Sequence, residues 1–158
     1  MAAMNADDVF RIQQAVRDRL IEYWRDVDRD DARNATDFYT PDCIYQMVDH
    51  RMEGREAIRR YYDYRGSRGP RLVRHIVSNL YVEVRDPRCA WLEAVLTVHA
   101  ADGVPVLPSA PPIMVADAEC EFVRDDDGIW RMRWHRLVAL FKGGVEVLVP
   151  PDQRGADR

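Results

Sequence analysis

Apolar side chains fall at Val9, Ile12, Val16, Leu20, Tyr23 and Val27, every third or fourth position. This stripe predicts one long amphipathic helix over residues 7–29. Asn5, Asp7 and Asp8 supply an acceptor and negative charge at its N-terminus. Asp30 and Asp31 break the pattern. A second, shorter helix is predicted from Ala32 to Tyr39, stopped by Thr40-Pro41 because the residue before proline avoids helical backbone. Residues 43–48 read as a strand, with Arg51–Gly54 as a short partner. A third helix is expected over residues 55–65, with Ile58, Tyr61 and Tyr62 on one side and Gly66, Gly69 and Pro70 after it.

Beyond residue 70 the pattern changes to long strands rich in Val, Ile and Tyr. They are predicted at 72–84, 90–100, 113–124 and 129–141. Asp86-Pro87 turns the first pair, and Asp125–Gly128 forms a hairpin turn between the last two. Residues 102–112 hold four prolines and a glycine, so they read as a loop long enough to serve as a lid or an oligomer contact. Helices early and strands late predict an α+β fold: a cone-shaped roll with three N-terminal helices in a strongly curved, mostly antiparallel sheet. The space between helices and sheet is a natural apolar pocket. A single domain over residues 1–150 and a frayed tail over 151–158 are expected.

Composition narrows the function classes. The chain has 158 residues, 47% hydrophobic and 32% charged, which fits a globular protein. Its net charge of −4 gives no long-range attraction to nucleic acid or to an anionic membrane, so neither is expected as a partner. No run of about 18 apolar residues spans a bilayer. The N-terminal stretch lacks the basic and apolar regions of a secretory signal. Cys43, Cys89 and Cys120 are odd in number and widely spaced, which fits neither a disulfide framework nor a zinc site; a cytoplasmic location is expected.

Five motifs then occur in order: Tyr23-x4-Asp28; Phe38-Tyr39-Thr40-Pro41-Asp42; Glu53-Gly54-Arg55-Glu56-Ala57-Ile58; Arg74-His75-Ile76-Val77-Ser78-Asn79; and Asp127-Gly128-Ile129-Trp130-Arg131-Met132. Together they resemble the SnoaL-like branch of the nuclear-transport-factor-2-like superfamily, over roughly residues 9–142. That superfamily includes scytalone dehydratase, bile-acid dehydratase, ketosteroid isomerase, polyketide cyclases and a dehydrochlorinase. It also includes ring-hydroxylating dioxygenase small subunits and members without catalysis, so the fold does not choose a reaction.

The resemblance implies an acid/base pair. Dehydratase and dehydrochlorinase members carry an Asp near the end of the first helix and a His on the first long strand, and Asp28 and His75 match. Tyr45 matches a first-strand tyrosine, and His99 matches a second histidine. Glu119 stands near the place of an asparagine, a departure from the pattern. Tyr23, Trp24, Met47, Asn79 and His135 complete the candidate substrate contacts. The implied function is a cofactor-independent lyase or isomerase acting on a small cyclic or polyketide-like carbonyl compound, with a homodimer or homotrimer as the assembly. The alternative is a non-catalytic subunit, such as a dioxygenase small subunit, or a small-ligand binding module; a thinner third reading is hydrolysis through a water held by Asp28, His75 and Glu119.

The chemistry is sound in outline. A carboxylate on one ring nitrogen of a histidine fixes its tautomer, and the other nitrogen then removes and returns a proton. Each residue also has a plainer reading. His75 suits a satisfied core position, and Asp28 belongs to an acidic run with Asp26, Asp30 and Asp31. Glu119 and Glu121 share a strand face with Asp117, which fits a solvated outer surface better. The aromatic residues are core as often as ligand contacts. Arg55, Arg59, Arg60, Arg65, Arg68, Arg71 and Arg74 form a basic cluster that could attract an acidic substrate, though a solvated helix face is the favoured reading.

Overall fold

The computed structural model describes residues 4–143. The expected tail at 151–158 lies outside the described residues. Helix α1 spans Ala6–Arg29, a 3-10 turn spans Ala35–Phe38, and strands β1 and β2 span Tyr39–Met47 and His50–Glu53. Helix α2 (Gly54–Ser67) follows, then β3 (Arg71–Asp86), β4 (Cys89–Asp102), β5 (Met114–Arg124) and β6 (Trp130–Lys142). The six strands form one sheet in the order β2-β1-β6-β5-β4-β3. Among the described residues only the β1–β6 pairing is parallel, so the sheet is mixed and mostly antiparallel.

The α1 stripe forms as its spacing requires. Asn5 Oδ1 accepts the Asp8 amide at 2.8 Å and caps the first turn. Val16, Leu20, Tyr23, Trp24 and Val27 are buried against the sheet. Each such side chain stabilises the packing by about 1.5–3 kcal/mol relative to exposure.

The helix expected over Ala32–Tyr39 does not form, so two α-helices replace the three foreseen. Asp31 and Ala32 both take left-handed backbone, with φ of 55° and 56°, and turn the chain at once. The buried Asp26 carboxylate secures this turn by accepting the Asn34 amide (3.1 and 3.2 Å) and its Nδ2 (2.9 Å). Only a 3-10 turn fits before β1, which runs through Pro41 where its ladder with β6 is irregular. Gly54, at φ 76°, makes the corner from β2 into α2.

Bulges curve the sheet and reset which side chains face inward. On β4, Leu92, Ala94, Leu96 and Val98 are buried without interruption. On β3 the pairing slips between Ser78 and Tyr81, where Asn79 sits at φ 54°. Val73, His75 and Val77 therefore face inward before the slip, and Val82 and Val84 after it. A second slip opposite Glu121 and Phe122 turns His135 into the core.

Candidate active site

The concave side of the sheet, under the last turns of α1 and α2, borders a small open cleft. Trp24 from α1, Tyr61, Tyr62 and Arg65 from α2, and Tyr45 and Met47 from β1 form one side of its wall. Arg71, Val73 and His75 from β3 face them, and Val98, Ala100, Ile113, Met114 and Leu137 close the floor.

Asp28 stands in the last turn of α1, where the helix crosses the start of β3. Its carboxylate grips His75 at two points. Oδ2 accepts the His75 main-chain N–H at 2.7 Å, and Oδ1 lies 2.6 Å from Nδ1. With the carboxylate ionised, Nδ1 carries the proton and donates it to Oδ1. Nε2 is left as a lone pair open to the cleft. The imidazole lies flat on the Trp24 indole, with centroids 4.1 Å apart and planes at 22°. Both members of the pair are sheltered, with side chains 9% and 8% exposed. Burial holds the His75 pKa below its ordinary 6.5, against the upward pull of Asp28. The imidazole is therefore neutral near pH 7, and the carboxylate stands ready to stabilise its protonated form.

Behind this wall lies a second polar group. His135 is 0% exposed and stacks face to face on Tyr45 at 4.3 Å. Its Nδ1 is 2.7 Å from the Tyr39 hydroxyl, and its Nε2 has no hydrogen-bond partner among the described residues. Tyr23 is also fully buried, its hydroxyl 2.5 Å from that of Tyr62. Burial pushes the Tyr23, Tyr39 and Tyr45 phenols well above their usual value, so they remain protonated hydrogen-bond donors.

Of the residues singled out in the sequence, the fold brings Trp24, Tyr45, Met47 and His75 to the cleft wall, with Asp28 directly behind His75. Tyr23 and His135 back that wall from the core instead of lining it. Four residues are not brought there. His99 pairs with Arg74 on the outer face of β3–β4, because the uninterrupted alternation of β4 assigns the inner face to Val98 and Ala100. Glu119 lies on the outer face of β5 with Arg136 at 3.6 Å, and Glu121 is beside Arg133 at 2.8 Å, as a solvated surface requires. Asn79 is exposed in the β3 bulge. The sequence reading misses Arg65 and Arg71 as wall residues. Two spacings carry the signal: Arg65 lies one helical turn beyond Tyr61 and Tyr62, and Arg71 shares the inner β3 face with Val73 and His75.

A search of curated proteins finds no match to this chain. Among solved structures, a putative scytalone dehydratase from Novosphingobium aromaticivorans aligns with a TM-score of 0.77 at 16% identity, covering 93% of this chain and 97% of that one. A putative aromatic ring hydroxylase from the same organism aligns at 0.68 and 17%, covering 88% and 93%. ActVI-ORFA from Streptomyces coelicolor aligns at 0.68 and 11%, covering 82% and 97%. At these identities the likeness is one of fold. The sequence itself matches the SnoaL-like domain profile over residues 10–136, most of its length, and the chain belongs to the SnoaL-like domain family.

Proposed function

We propose that this protein is a cofactor-independent lyase or isomerase of the dehydratase or cyclase type. In this reading His75 removes a proton from the carbon next to a carbonyl of a small ring-bearing substrate. The observation that carries it is the Asp28–His75 contact of 2.6 Å, with the second ring nitrogen open to a cleft.

The neutral Nε2 takes the proton as the enolate develops, and Asp28 stabilises the imidazolium. The Tyr45 hydroxyl, held protonated by burial, donates to the enolate oxygen. The Trp24 indole fixes the imidazole plane against rotation. The proton then returns to a departing hydroxide, giving dehydration, or to another carbon of the same system, giving isomerisation. The scytalone dehydratase likeness of the fold supports this chemistry at the level of analogy.

The test uses β-hydroxy ketones and cyclic enones in deuterated water, with deuterium entry at the α-carbon followed by NMR. Wild-type protein is expected to catalyse exchange with at least one probe, and His75→Ala to abolish it. Equal exchange by both proteins sinks the reading. Saturable binding without exchange would replace the enzyme by a ligand-binding module.

A further inference from the structure

The basic cluster between residues 55 and 74 separates into two groups once folded. Arg55 donates to the Tyr39 carbonyl, Arg59 to those of Ala32 and Arg33, and Arg74 to those of Asp28 and Val73. These three hold the frame together. Arg65 and Arg71 instead line the mouth of the His75 cleft, and both also face the groove that adjoins it.

Their partners are incomplete. The Arg71 side chain is 9% exposed, and one of its nitrogens meets Asp102 at 2.7 Å. A guanidinium has five N–H donors, so most of its capacity is unused among the described residues. Arg65 is half-buried and makes no hydrogen bond or ion pair among the described residues; its guanidinium lies 5.8 Å from the Tyr62 ring. Asp31 borders the adjoining groove but pairs with neither arginine. A half-buried guanidinium has lost part of its hydration, and a ligand anion restores that stabilisation most effectively. Of the two cations only Arg71 has a carboxylate in contact, and Arg65 has none among the described residues. The field of Arg65 also reaches the His75 imidazole, which it holds toward the neutral form.

We propose that Arg65 and Arg71 bind one carboxylate of the ligand, so that the cleft takes a small ring-bearing carboxylic acid as its anion in preference to a neutral compound. The anion site rests on the proposed acid/base function only for its orientation, with the acidic C–H turned toward His75. Arg71 and His75 lie four residues apart on β3, about 13 Å between their Cα atoms. Both side chains line the same cleft, so one ligand can span them.

Calorimetry with benzoate and its neutral isostere benzamide tests the site at equilibrium, without turnover. Wild-type protein should bind benzoate at least about tenfold more tightly than benzamide. Arg65→Gln should remove most of that preference while leaving benzamide affinity within about twofold, and Arg65→Lys should retain part of it. Arg71→Gln should act in the same direction, and thermal melts verify that each variant is folded. Equal affinities, a preference for benzamide, an unchanged ratio in both Gln variants, or no saturable benzoate binding up to about 20 mM would overturn the proposal. Phenylphosphonate binding more tightly than benzoate would overturn the carboxylate assignment in favour of a phosphate-like dianion. The preference should persist in His75→Ala. Wild-type protein that shows the preference but catalyses no exchange therefore counts against the acid/base reading alone, and exchange without the preference counts against the anion site alone.

Discussion

Two histidines face the same side of the sheet, and both pack against the Trp24 ring, at 4.1 Å for His75 and 5.7 Å for His135. Their surroundings differ in two respects. His75 has an aspartate on Nδ1 and a cleft on its other side, whereas His135 has a phenol on Nδ1 and closed core around Nε2. Burial lowers both pKa values, that of His135 to about 3. At His75 the carboxylate opposes the decrease; at His135 nothing does. A charged form is therefore attainable at one site and not at the other. An imidazole becomes a proton carrier only where both a counter-charge and access are provided.

Replacing each histidine by alanine tests that contrast most severely. His75→Ala removes the base and should reduce turnover by about a thousandfold or more, with a smaller decrease in melting temperature than at His135, because Asp28 keeps the main-chain N–H of residue 75 and the gap opens to the cleft. His135→Ala opens a hole in closed core and removes one partner of the Tyr39 hydroxyl, which keeps Tyr23. It should cost about 3 kcal/mol of stability, a decrease of roughly 6–12 °C in Tm, and retain most turnover in the folded fraction. Kinetics and thermal melts on both variants provide the comparison, and exchanged outcomes would reverse the roles assigned here.

Asp28→Asn tests the counter-charge alone. The amide still accepts the His75 main-chain N–H through its oxygen but offers a donor to Nδ1. The proton moves to Nε2, and the lone pair that should face substrate is lost. We expect about a hundredfold loss of turnover, with NMR of the ring nitrogens reporting the tautomer change. An unchanged rate would mean that the carboxylate serves only to anchor β3 to α1.

How much of this contrast the sequence carries depends on local pattern. The α1 stripe, the α2 stripe and the unbroken alternation of β4 are regular repeats, so they could be read directly. Which face of β4 turns inward was not legible from that alternation, so His99 stayed a candidate until the fold assigned the inner face to Val98 and Ala100. By contrast, the left-handed pair Asp31 and Ala32 contains no glycine to announce it, so a helix was expected where a turn forms. The facing of Asn79 and His135 depends on bulges in β3 and β6, and a bulge is set by the partner strand. Asp28 looks like one member of an acidic run. Its reach to His75 follows from the angle at which α1 crosses β3, which no local pattern encodes, so only the family resemblance pointed to it.

Acid titration distinguishes the two sites more gently. Both histidines have folded pKa values below the ordinary 6.5, so the unfolded chain binds protons more readily. Their contribution to stability is complete above pH 6.5 and is lost as pH falls, for His135 toward about 3. His135→Gln should flatten that part of the stability profile. The acid limb of kcat/KM should instead follow His75, with its midpoint below 6.5, and should survive the His135 substitution. A limb that moved with His135 would join the two sites into one titrating unit.

The smallest effect is expected from Tyr39→Phe. In the less costly arrangement, the His135 Nδ1–H donates to the Tyr39 oxygen and the bare Nε2 lone pair remains without a partner, because a buried N–H left unpaired is the rarer and more expensive defect. Removing the phenol oxygen orphans that N–H and should cost about 1–2 kcal/mol. The ring can respond by shifting its proton to Nε2, but Nε2 is equally enclosed, so the tautomer change recovers little. The stack of Tyr45 on His135 keeps the imidazole in place, so the cleft wall should not move and turnover should stay within about twofold. A large loss of turnover in this variant would show that the buried phenol–imidazole pair communicates with the cleft, and the division between a working histidine and a structural one would no longer hold.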